Sequence, residues 1–213
     1  MFRKTTLMVG ALALMLAVPQ AQAAKGDWKI TVMGGAAVPM GNFSKKIAEG
    51  GVGAKLGFAG GAGVDYMVTD AVGIGVDGMF TTNNLNKDEL DLIKAADPTF
   101  ELKYTQIGGG AHVKYWFPMS DSPLSPYVVV GAGATNFKAK GTVLGVAGDQ
   151  SKTQFGGHGG LGAGYKVNEN VAIGLEGDFN YVKLSEADWG SGFSSATSFG
   201  INAVVTFGIS KAK

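Results

Sequence analysis

The chain has no cysteine, a single arginine (Arg3) and only two histidines, His112 and His158. Without thiols it carries no disulfide framework, no thiolate metal site and no cysteine nucleophile. The histidines are far apart in sequence and form no H-x-x-x-H pair, so no zinc-ligand spacing is offered. No cofactor, metal or catalytic centre is expected. Charge is scarce and balanced, with 18 basic against 17 acidic residues in 213 and a formal net of +1. A nucleic-acid partner would call for a basic face and is not expected. Beyond Val18, no apolar stretch approaches the ~20 residues that a spanning helix needs.

The N-terminus has a composition of its own. Arg3 and Lys4 lead into an apolar run at 7–18, followed by Pro19 and Ala21-Gln22-Ala23. A basic start, a short apolar stretch and a small-x-small site predict a secretory signal peptide over residues 1–23. A retained anchor helix is the alternative, for which the run is short. Cutting after Ala23 removes Arg3 and Lys4 and leaves 16 lysines against 17 acids, a net of −1. Residues 24–213 read as one domain. Glycine is in surplus there: the chain has 35, about double the usual ~7 %. Inside strands, glycine permits curvature and close backbone approach at some cost in strand stability.

The glycines sit in stretches that alternate with period two. In 171–181, VAIGLEGDFNY, Val171, Ile173, Leu175, Phe179 and Tyr181 take one parity, while Glu176, Asp178 and Asn180 take the other. The same split recurs at 28–38, 56–68, 72–80, 105–117, 155–167 and 197–209. A charge facing lipid costs about 2–4 kcal/mol at mid-membrane, so a parity emptied of charge is what a bilayer enforces. Strands are expected near 28–38, 56–68, 72–80, 102–117, 127–137, 154–167, 171–182 and 196–209. Short turns at 69–70, 118–126 and 168–170 alternate with loops at 39–55, 81–101, 138–153 and 183–195. The predicted fold is all-β: an eight-stranded antiparallel up-and-down transmembrane β-barrel with its loops facing outward. The fifth strand, YVVVGAGATNF, is apolar on both parities, which leaves its register open.

Aromatic residues give a second signal. Trp28, Tyr66, Tyr115, Phe117, Tyr127, Tyr165 and Phe207 are expected on the apolar parity near the turn end. Phe58, Phe80, Phe137, Phe155, Phe179, Tyr181 and Phe199 are expected there near the loop end. Bands at both ends match the aromatic girdles of a membrane barrel. A soluble sandwich or lipocalin-type barrel would instead expose a glycine-rich, charge-poor surface that water solvates poorly.

The stretches VMGGAAVPMGNFS, VDYMVTDAVGIGVDGMF, SPYVVVGAGA and LGAGYKVNENVAIGLEGDFNYVKL resemble the small outer-membrane barrels of the OmpA-transmembrane-domain and OmpX kind. The resemblance covers essentially all of residues 24–213. It implies an exported protein in the outer membrane of a Gram-negative-type envelope, and it speaks to architecture more than to activity. Nothing after the strands matches the peptidoglycan-binding domain that some relatives append. The chain also runs past Phe207 as GISKAK, where family members commonly end on an aromatic residue.

Asp65, Asp77, His112, Lys114, His158, Lys166, Glu176 and Asp178 share the parity that faces the barrel interior. An eight-stranded barrel is only wide enough for side chains to fill, and ions withdrawn from water must pair or stay hydrated. A structural polar network is therefore expected, with the carboxylates held by Lys114, Lys166 and the histidines. His158 is expected opposite Asp178. The alternative is a gated narrow pore, for which lumen-side glycines such as Gly75 and Gly160 would leave room. Gly73, Gly75 and Gly78 satisfy G-x-G-x-x-G, but strand alternation runs through them and no helix follows, so nucleotide binding is not indicated.

Residues 87–96 have helical composition and could cap the barrel. Lys45, Lys46, Lys55, Lys138, Lys140 and Lys152 form a modest basic rim suited to lipopolysaccharide phosphates. The expected partners are outer-membrane lipid and lipopolysaccharide, with any surface ligand met through loops 39–55, 81–101, 138–153 and 183–195. The barrel is expected to act as a monomer. The leading role is non-enzymatic: envelope integrity or surface interaction. A narrow porin is the alternative. A lipid-modifying enzyme would need a histidine, a serine and an acid grouped at the membrane edge. Ser194, Ser195 and Ser198 lie at a strand mouth, but neither histidine is on the lipid parity.

Overall fold

The computed structural model describes residues 24–119, 122–189 and 193–210, so the expected signal peptide lies outside the described residues. The strands are β1 (Trp28–Met40), β2 (Gly57–Met67), β3 (Val72–Asn84), β4 (Glu101–Trp116), β5 (Leu124–Val143), β6 (Val146–Lys166), β7 (Val171–Lys183) and β8 (Ser195–Ile209). They pair antiparallel in chain order, and β8 returns to β1 to close the barrel. Closure leaves no unpaired edge in lipid, which is the condition for strands to span a membrane.

The outward face exposes Val32, Ile74, Val76, Ile107, Val130, Leu161, Leu175 and Ile201. Trp28, Tyr115, Phe117 and Phe207 are exposed toward the turn end, and Phe58, Phe80, Phe155, Phe179 and Phe199 toward the loop end. The girdles are present, with two corrections: Tyr127 and Phe137 are buried inside the barrel. Val113 pairs with Val130 and Tyr115 with Val128, so the even-numbered residues of β5 face lipid. With valine available on both parities, the sequence held no signal for this register.

Residues 138–153 are likewise not a loop. β5 and β6 run for 20 and 21 residues and stay paired up to Val143 and Val146. Leu144 (φ 50°) and Gly145 (φ 77°) make the turn, both with the positive φ that a two-residue type I′ hairpin requires. β4 covers β5 as far as Thr142, whereas β7 meets β6 only from Gly156. The result is a hairpin that rises past β7 on one side and is flanked by β4 on the other. On the same side, α1 (Lys87–Lys94) is capped by Asn86, whose side chain accepts from the Asp88 N–H at 3.1 Å. A short α2 (Glu186–Trp189) lies in the last loop.

Candidate functional site

The lumen is filled in layers. At the turn end Met67, Trp116 and Tyr127 form a buried cluster, with Lys29 Nζ 3.6 Å from the Trp116 ring centroid. At the loop end Phe43, Tyr104, Phe137 and Phe193 pack with Val182, Leu184 and Ala196 into an apolar lid. Phe43 comes from the first loop and is fully buried. Trp189 of α2 meets Phe137 edge-on at 4.9 Å.

Between these layers lies a polar belt. His112 is its centre: Nε2 is 2.7 Å from Asp65 Oδ1 and Nδ1 is 2.6 Å from Asp77 Oδ2. With a proton on each nitrogen the ring donates to both carboxylates. Lys114 Nζ stands 3.6 Å from Asp65 Oδ2, and His158 Nε2 stands 3.5 Å from Asp77 Oδ2. Burial makes these contacts matter, because Asp65 has no exposed surface and His112 and Lys114 are 6 % exposed.

Glu176 and Asp178 are held differently from the expectation. Tyr127 donates its hydroxyl to Glu176 Oε2 at 2.7 Å. Asn202 donates to Asp178 Oδ1 at 2.5 Å, and the Asn180 amide donates to the other Asp178 oxygen. Neutral donors hold this pair. Nor does His158 face Asp178: Lys166 pairs with Ala172 across the turn, which brings His158 opposite Asn180. Lys166 sits toward the turn end, where its N–H donates to the Pro123 carbonyl at 2.9 Å.

Two of the lumen glycines make room for the histidine rings. His112 pairs in register with Gly75, and His158 with Gly131. A Cβ on Gly75 would lie 2.7 Å from His112 Nε2, and one on Gly131 would lie 2.4 Å from His158 Cε1. The space is taken by the rings. Beside them is a cavity of about 50 Å³ lined by Asp77, His158, Thr81, Gln106 and Asn180, enough for ordered water among polar groups.

Of the eight residues expected in one network, Asp65, Asp77, His112, Lys114 and His158 meet directly, Glu176 and Asp178 are held by Tyr127, Asn180 and Asn202, which were not expected as partners, and Lys166 lies at the turn end. The two asparagines are on the interior parity and were legible there. Phe43 had no periodic signal to mark it.

Residues 9–207 match the outer membrane protein beta-barrel domain. The chain belongs to that family. No curated protein matches it. Among solved structures, Neisserial surface protein A (NspA) is 21 % identical with a TM-score of 0.53, covering 85 % of this chain and 96 % of that one. Ail of Yersinia pestis, solved with the heparin analogue sucrose octasulfate, is 12 % identical with a TM-score of 0.54, covering 87 % and 99 %. A major outer membrane protein of Thermus thermophilus is 14 % identical with a TM-score of 0.53, covering 85 % and 99 %. At such identities the likeness is one of fold.

In this outer-membrane barrel the loops are tied together over the mouth. Glu89 of α1 accepts from the Ile47 N–H at 2.8 Å, and Tyr104 donates its hydroxyl to the Val52 carbonyl at 2.8 Å. The basic rim is partly neutralised, since Lys138 pairs with Asp149 at 2.5 Å and Lys152 with Asp188 at 2.9 Å. Asp97 clasps the hairpin tip, its Oδ2 accepting from the Leu144 N–H at 2.6 Å. That bond, then those from Thr99, holds the Asp97 carboxyl below its usual range. A depressed carboxyl stabilises the clasp above the unfolded pKa, and the contribution is lost as pH falls through the folded value. The Leu144 amide-proton resonance should therefore titrate with a midpoint below the ordinary aspartate value of about 3.9. It should stop titrating in Asp97→Ala. A midpoint at or above the ordinary value would deny the clasp.

Proposed function

We propose that this barrel is a non-enzymatic outer-membrane protein, acting as a monomer, that supports the envelope and meets partners at the cell surface. The observation that carries the reading is the filling of its interior by an aromatic floor, a polar belt and an apolar lid. Asp65, Asp77, His112, Lys114, His158, Glu176 and Asp178 serve in that belt as a structural network rather than as a solute path, with Lys166 below it at the turn end. Cavities of about 50 and 20 Å³ beside the belt and about 100 Å³ at the turn-end mouth favour trapped water over a conducting channel. The partners of both histidine rings are carboxylates, which leaves Ser194, Ser195 and Ser198 without the base that an acyl-transfer site would need.

The outer face then does the work. The β5–β6 hairpin ends in exposed Val143, Leu144 and Val146, above a mouth edged by exposed Lys45, Lys46, Lys55 and Lys140. Apolar tip and basic edge together suit an anionic surface ligand, including lipopolysaccharide phosphates in the surrounding leaflet. Replacing residues 139–150 with Asn-Gly would join the paired residues Lys138 and Ser151 through a two-residue turn. The shortened barrel should keep its heat-shifted gel migration and its insertion, while cells carrying it attach less well to anionic glycan-coated surfaces. Attachment equal to that of wild type would contradict a surface role for the hairpin.

A further inference from the structure

We propose that the polar belt binds one divalent transition-metal ion of the zinc class between Asp77, His112 and His158. Strands β3, β4 and β6 bring one ligand atom from each of these residues within 4.8 Å of the other two. Zinc bonds of about 2.0–2.2 Å to nitrogen and oxygen place tetrahedral ligand atoms roughly 3.3–3.5 Å apart. His158 and Asp77, at 3.5 Å, already have that spacing. His112 and Asp77, at 2.6 Å, are at hydrogen-bond distance, and they open slightly as the ion takes the place of the ring proton between them.

The surroundings match a metal site in several respects. Asp65 Oδ1 lies 2.7 Å from the far ring nitrogen of His112. This carboxylate–histidine–metal arrangement fixes the ring and raises its basicity. Both rings lie over glycines, Gly75 and Gly131, in positions that a Cβ on either glycine would obstruct. Ligands held this way are pre-organised. The cavity beside Asp77 and His158 can supply a water as the remaining ligand. Asp65, Glu176 and Asp178 add negative charge around the ion, which a dication compensates. A donor set of two imidazoles and one carboxylate suits zinc, copper or nickel, whereas calcium and magnesium prefer all-oxygen shells. The histidines show no ligand spacing in the sequence because they come from different strands, with the small residues of β5 between them.

Refolded barrel in detergent micelles, stripped with chelator and desalted, provides the test, with Co²⁺ as a visible probe and Zn²⁺ for affinity. Wild type should take up one equivalent of Co²⁺ with an intense tetrahedral ligand-field band, displaced by Zn²⁺. His158→Gln leaves the Asp65–His112–Asp77 chain in place, so it should keep the heat-shifted migration while losing the band. Asp65→Asn, which touches no metal, should weaken binding about 10–100-fold. Adventitious surface binding would not respond to that change. Zn²⁺ should also raise the urea midpoint of wild type and leave that of His158→Gln unmoved. Folded wild type without the band, or folded His158→Gln and Asp65→Asn binding as tightly as wild type, would overturn the site. Neither result would bear on the closed lumen, which rests on the floor and the lid.

Discussion

Replacing His112 with leucine should lower the stability of the folded barrel by about 3–5 kcal/mol, the usual effect of removing one partner from a buried ionic group. The imidazole lies within 2.7 Å of carboxylates on both sides. Its loss leaves Asp65, which has no exposed surface, with Lys114 at 3.6 Å as its nearest cation. Among the described residues Asp77 would keep His158, at 3.5 Å, as its ion-pair partner. Leucine is close in volume, so packing is nearly conserved and the loss reflects charge. Urea titration of the barrel in lipid vesicles, with chelator present, measures it. A single variant within about 1 kcal/mol of wild type would show that the belt does not depend on His112.

Val76→Lys should impair insertion by about 2–4 kcal/mol, the cost of a lysine near the bilayer midplane. Val76 is 62 % exposed on the outer face and pairs with Val64 and Ala111, one rung inward from the level of Trp28 and Tyr66. Val113→Lys should cost less, because Val113 pairs with Ile74 at the level of Tyr66, in the aromatic belt where a lysine can reach the headgroups. The depth order is as informative as the size. Folding yield into vesicles reads both variants. Normal insertion of Val76→Lys would reverse the assignment of lipid and lumen faces, since its neighbour Asp77 points inward.

Lipid made much of this architecture readable. It forbids charge on one face, so Asp65, Asp77, His112, Lys114, Glu176 and Asp178 mark the interior parity of β2, β3, β4 and β7 in the sequence itself. The constraint fails where the protein leaves the membrane or where both faces are apolar. In the β5–β6 hairpin, Lys138, Lys140 and Asp149 stand in water and interrupt the outer parity, so paired strand resembled loop. In the lower part of β5, valines on both parities hid the inward turn of Tyr127, and with it the donor to Glu176. The meeting of His112 with His158 depends on register across an intervening strand, where Gly131 makes the space. Period-two alternation carries no information about that. Phe43 closes the mouth from a single 3-10 turn, Gly41–Phe43, in a loop held by hydrogen bonds such as that from Tyr104 to Val52, and neither leaves a periodic trace.

Single-channel recording from the purified barrel in planar bilayers tests the closed lumen most directly. With Trp116 and Tyr127 below, the His112 belt between, and Phe43, Phe137 and Phe193 above, wild type should give a flat trace in symmetric salt under sustained voltage. Large, steady, reproducible steps from folded wild-type barrel would contradict a plugged interior and make the protein a porin.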